Sequence, residues 1–280
     1  MVFCLSGYKP AKTTKEMVDY LEENKRVSYS IMNKREAQEA LLKYNYINVI
    51  TPFKHVFARK EKDEEIRDEY GKHIYDRNIE FDEYLNLYKN ERSKYKTIFA
   101  NISEFESIFK SITSYYIVNS LENKIDNSND LLDFIDRIKI SISLLSLNDY
   151  KEERKLRMIE QIESLKNDVH KYHDIYCFFD RMSLGHLLTV YIGLNEKTQK
   201  IIFDNLTKYD MNLGATDVLQ FSNKTFTLVG IRNCIAHNNS LEVLKRFYDP
   251  KNKIKRTSRD RQKYTSLINY LEKEKQSTIR

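Results

Sequence analysis

Apolar residues recur at three- and four-residue steps along most of this chain, and the segments between them are polar and almost without glycine or proline. The clearest stripe is Phe99, Ile102, Phe105, Ile108, Phe109, Ile112 and Tyr116, the spacing of one face of an α-helix. It predicts a long helical region from Phe81 to about Leu121. Upstream, residues 13–24 and 34–46 read as two short helices separated by Lys25–Asn33, with Thr13 or Thr14 as the first cap. Residues 54–79 mix charges densely and read as a loop or hairpin around Glu61-Lys62-Asp63-Glu64-Glu65. Asn119–Asp130 is rich in Asn, Asp and Ser and predicts a loop. Two further helices, near 130–146 and 152–172, carry Leu/Ile stripes opposite charged faces. Shorter helices fill 173–206, and a last one runs from about Lys224 to His237. No internal repeat is present. The pattern is all-α, organised as an N-terminal helical extension (1–80), a helical domain (81–244) and a basic C-terminal helical segment (245–280).

Composition agrees. Six glycines and three prolines in 280 residues suit helices rather than a sheet-rich fold. No apolar run approaches the roughly 20 residues that span a bilayer, and Met1–Lys9 lacks a basic region before an apolar stretch. A cytoplasmic protein without a membrane partner is expected. Cys4, Cys177 and Cys234 are odd in number and far apart, with neither a disulfide framework nor zinc spacing. His170 and His173 lie three apart on an expected helix beside Asp174, but no further Cys or His completes a set. No metal and no cofactor is assigned.

The candidate chemistry lies in Arg232-Asn233-Cys234-Ile235-Ala236-His237. On a helix, Asn233 and His237 stand one above the other, and the long Arg232 side chain can wrap toward that face. Arginine holds a permanent positive charge against phosphate, and histidine moves protons near neutral pH. A loose arginine-then-histidine rule also matches Arg67 with His73 and Arg181 with His186, but Gly71 and Gly185 interrupt those stretches and neither arginine is followed by an amide residue as Arg232 is.

The spacing Arg-Asn-x-x-x-His resembles the signature of the HEPN superfamily, all-helical domains that include many RNA-cutting toxins. The chain also resembles bacterial abortive-infection proteins of the AbiD/AbiF type, element by element and in order. Tyr8-Lys9-Pro10 precedes a capped helix, and Leu41 to Tyr46 leads through asparagine and tyrosine into Thr51-Pro52-Phe53. Phe81, Leu87-Tyr88 and Arg92 follow, then Glu106, the Ser183-Leu184-Gly185 turn, and the motif near the end. It departs in having no tryptophan and in lacking an arginine after His237.

The resemblance implies a HEPN-like helical bundle and a metal-independent endoribonuclease toxin in antiviral defence, with Arg232, Asn233 and His237 catalytic. It further implies a homodimer that brings two motif helices together, and a structured small non-coding RNA as regulator. The other reading is a non-catalytic RNA-binding scaffold on the same fold. Charge bears on both. Between Lys245 and Lys263 nine basic residues face only Asp249 and Asp260, a local +7 that leaves −1 for the rest of a chain of net +6. Lys251, Lys253, Lys255, Arg256, Arg259 and Arg261 are the candidate RNA contacts, because such a cluster draws phosphate backbone by counterion release. Tyr248 and Tyr264 flank it and could stack on unpaired bases.

Overall fold

The computed structural model describes residues 12–237, apart from 63, 70 and 120–124, together with residue 240. It bears out the all-α class. Ten α-helices and one 3-10 turn carry the described chain, and the only strands there are four two-residue pieces. The described residues divide into two compact units, one of residues 12–97 with 234–237 and 240, the other of residues 98–233.

In the first unit, α1 (Thr14–Lys25) and α2 (Lys34–Tyr44) each open on a capping box, Thr13 with Glu16 and Asn33 with Glu36. In each, the cap side chain and the glutamate satisfy backbone N–H groups reciprocally. A short α3 (Tyr46–Val49) follows. The connection after α1 is a strand, β1 (Val27–Ser28), which pairs in parallel with β4 (Ile79–Glu80). Glu80 secures that connection by accepting from the Ser28 and Ser30 hydroxyls at 2.7 and 2.6 Å. The charge-mixed segment contains the expected hairpin, β2 (Lys60–Glu61) against β3 (Glu64–Glu65). Val18, Leu21, Leu41, Ile50, Phe53 and Tyr84 form the core beneath.

Both units draw on α4 (Phe81–Val118). Its buried face in the second unit is narrower than the sequence stripe: Ile102, Phe105 and Phe109 are buried, Ile108, Ile112 and Tyr116 are half-buried, and Phe99 is 37% exposed. The second unit continues with α5 (Ser128–Ser143), α6 (Glu152–Leu165), a 3-10 turn (Lys166–Lys171), α7 (Ile175–Arg181), α8 (Leu184–Gly193), α9 (Glu196–Lys208) and α10 (Val218–Ala236). The expected helix over 152–172 therefore ends early. Its last turn tightens to 3-10, and Asp174 then caps α7 through Tyr176 N–H at 2.6 Å. Apart from the half-buried Gly185 and His186, α8 is buried on every side.

One aromatic cluster fixes α10. Phe221 packs against Phe109, Tyr191 and Phe203 at ring-centroid distances of 5.6, 5.6 and 5.8 Å, and Phe105 closes the set at 6.2 Å. These rings come from α4, α8, α9 and α10. Burial of each contributes about 1.5–3 kcal/mol.

Candidate functional site

The motif helix starts six residues earlier than the sequence pattern suggested, at Val218, and α10 ends at Ala236 with His237 in the turn beyond it. Phe221 and Leu228 are buried in the second unit, as is Ile231 just before the motif. Cys234 is buried as well, Ile235 is half-buried and Ala236 is exposed, so only the first of the three intervening residues packs fully inward. Burial, reinforced by Glu91 and opposed by Arg92, pushes the Cys234 thiol up to about 11. It is a packing residue and not a thiolate nucleophile.

Arg232 reaches two partners in the second unit. Its Nε lies 3.8 Å from Glu106 Oε2, and its Nη1 donates to Asn233 Oδ1 at 3.4 Å. Glu106 is itself held by Lys110 at 3.1 Å, and Lys110 donates to the Asp180 carbonyl at 2.9 Å near the end of α7. The order along this relay is α7 backbone, Lys110, Glu106, Arg232, Asn233. It fixes the guanidinium from two sides while leaving about a third of the side chain exposed. Asn233 and His237 are exposed. Asn233 lies in the last turn of α10, and His237, four residues on, lies in the turn beyond the helix end.

In the first unit, Glu91 is a feature the sequence did not mark. Its Oε1 accepts from the Ser240 hydroxyl at 2.9 Å, so the chain three residues past His237 is tied to α4. Arg92, beside it, lies over the rings of Tyr88 and Tyr95 at 5.2 and 4.8 Å. Nothing in the sequence marks a link over 149 residues between Glu91 and Ser240.

The other arginine–histidine matches resolve as architecture. Arg67 and His73 face each other as an antiparallel bridge, with Gly71 at φ +73° in the turn between them. Both approach Glu65, at 3.1 and 3.3 Å. Arg181 ends α7, whereas His186 lies in the first turn of α8 behind the cap Ser183, whose hydroxyl is 2.7 Å from Nδ1. They belong to different helices. His170 and His173 do not share a helix either: His170 is in the 3-10 turn and His173 lies beyond it. His173 lines a cleft of about 360 Å³ with Asn127, Tyr172 and Tyr176. The basic candidates Lys251, Lys253, Lys255, Arg256, Arg259 and Arg261, and the opening Tyr8-Lys9-Pro10, lie outside the described residues.

The sequence pattern of the Abi-like protein family matches residues 39–241, well over half of the chain and inclusive of the whole motif. The chain belongs to the Abi-like protein family. This membership gives it an abortive-infection role in phage defence. No curated protein and no solved structure matches it. Among the described residues of this Abi-like chain, no helix is long and apolar enough to cross a membrane.

Proposed function

We propose that this Abi-like protein is a metal-independent endoribonuclease whose cleavage of RNA halts the growth of an infected cell. The observation that carries the reading is the fixing of Arg232 by Glu106 and Asn233, at 3.8 and 3.4 Å, on the helix whose end immediately precedes His237. A guanidinium held against one carboxylate keeps most of its donors directed outward, where they can meet phosphoryl oxygens. An exposed imidazole one turn away supplies proton transfer near neutral pH.

Cleavage then needs no water. The ribose 2′-hydroxyl gives its proton to His237 as its oxygen attacks phosphorus, and the P–O5′ bond breaks. The leaving 5′-oxygen takes a proton from a second imidazole, so the products are a 2′,3′-cyclic phosphate and a 5′-hydroxyl. Arg232 neutralises the charge that builds on the phosphoryl oxygens. Each chain carries one such histidine, which favours a symmetric homodimer with His237 of the partner subunit as the acid. The segment 245–263 suits a structured small RNA as the regulating partner, through charge alone.

A second reading rests on the same ion pair. Glu106 partly neutralises Arg232, and a neutralised arginine suits RNA binding without cleavage. Turnover of RNA by the full-length protein separates the two. Arg232→Ala should lower kcat by about 10²–10³ and leave RNA affinity mostly intact, whereas charge reversal at Lys253, Lys255 and Arg256 should weaken affinity first. A wild-type protein that binds RNA and never cuts it leaves only the scaffold.

A further inference from the structure

Arg154, the third residue of α6, reaches across to α10 within the second unit. Its guanidinium carbon lies 3.5 Å from the centroid of the Phe226 ring and 5.8 Å from that of Tyr150, and its Nη1 is 3.4 Å from Asn223 Oδ1. The start of α6 is held in place independently. The buried Lys155 donates to the Leu145 carbonyl at 2.9 Å.

The position around α10 is what matters. At roughly 100° per residue, Phe226 lies about 20° and Asn223 about 80° from Asn233 around the helix axis. Arg154 therefore covers the face of α10 that carries Asn233. Along the axis Phe226 is seven residues before Asn233, about 10 Å, or a few nucleotides at roughly 3.4 Å of rise per stacked residue. That face is not core: Asn223 and Asn233 are exposed, Leu219 is 40% exposed and Phe226 is half-buried. An arginine flat on a ring makes contact through its own face, so its N–H donors radiate in plane, the arrangement that recognises a phosphate.

We propose that Arg154 is an RNA-binding residue of this protein, taking a backbone phosphate of the bound strand a few nucleotides from the one that Arg232 contacts. The proposal rests on the ribonuclease reading and adds to it a second contact from another helix. Phe226 and Asn223 hold the guanidinium in its binding orientation, so they are positioning residues. The phosphate contact is independent of base identity and contributes affinity and register rather than sequence preference.

The test is binding of a fluorescently labelled, unstructured single-stranded RNA of mixed sequence to the full chain carrying His237→Ala, over a series of salt concentrations. Arg154→Leu keeps a side chain over Phe226 and removes the charge. It should weaken binding about tenfold, reduce the slope of log K against log salt by about 0.7, and leave the melting temperature within a few degrees. Arg154→Lys should retain most of the affinity. Asn223→Asp, which sets a carboxylate beside an untouched Arg154, should weaken binding in the same direction. Unchanged affinity and slope in both Arg154→Leu and Asn223→Asp overturn the proposal alone, and so does a loss of affinity that merely follows a loss of folded protein. If the His237→Ala chain binds no RNA at any salt concentration, the proposal and the ribonuclease reading fall together.

Discussion

Arg232 is poised between two carbonyl-type oxygens, and their unequal charge decides how mutations around it should behave. Glu106 holds it by charge and Asn233 by a long hydrogen bond of 3.4 Å. Glu106→Gln removes the stronger restraint without removing the arginine. In the proposed reaction it should lower kcat about tenfold with KM nearly unchanged, because Arg232 would still bind phosphate but be less well oriented when charge develops. Steady-state cleavage kinetics would check this; a raised KM at constant kcat would show that Glu106 only shapes binding.

His186 offers a second test, of stability. Burial disfavours its charged form and lowers its pKa, although Asp168 pulls the other way. The unfolded chain, with an ordinary histidine near 6.5, then binds more protons than the folded one in the window just below that value. Stability should accordingly be complete above about pH 6.5 and decline as pH falls through the window. Melting temperatures across this range should show a downward step that His186→Gln flattens; an unaltered step would assign the decline to other groups.

Arg232, Asn233 and His237 could be proposed from the sequence because their relation is local. Glu106 could be placed only by family resemblance. Arg154 and Glu91 were not legible, since nothing in a linear pattern says which distant helix an arginine crosses or which serine a glutamate accepts from.

At the scale of elements, helix existence followed from apolar spacing while helix ends depended on caps and packing. The stripe from Ile102 to Tyr116 correctly implied one long helix, and α4 ends at Val118. The 152–172 pattern ran through Val169, buried in both a helix and a 3-10 turn, so periodicity could not see the tightening after Leu165. Similarly, Gly185 looked like a breaker, yet it sits in the first turn of α8, where a glycine costs little.

Gly193, at the other end of α8, is the more demanding position. A Cβ there would fall 2.6 Å from Ile138 Cγ2 and 3.1 Å from the Ile138 carbonyl oxygen. Gly193→Ala should therefore destabilise the protein by about 1–3 kcal/mol through overpacking, and Gly193→Ala with Ile138→Val should recover part of that loss in denaturant unfolding. Phe221→Ala, which removes the ring common to most pairs of the aromatic cluster, should cost about 3–5 kcal/mol. Its effect on cleavage would be indirect, through the placement of α10, and would disappear if the variant were assayed at a temperature where it is fully folded.

For the whole molecule, family membership and physical chemistry supply different parts of the account. Membership gives abortive infection as the setting, whereas the proposed reaction is argued from three side chains and their supports. One motif histidine per chain leaves the proposed reaction in need of a second proton carrier, so the active species should sediment at twice the mass of the chain, and dilution to monomers should abolish cleavage before it abolishes RNA binding. The most direct test of the central claim is the chemistry of the RNA ends. Purified full-length protein is incubated with total RNA in the presence of EDTA, and the new ends are identified. The account predicts 2′,3′-cyclic phosphate and 5′-hydroxyl termini with the wild type and none with His237→Ala. Intact RNA with the wild type, cleavage that stops in EDTA, or equal cleavage by His237→Ala would contradict it.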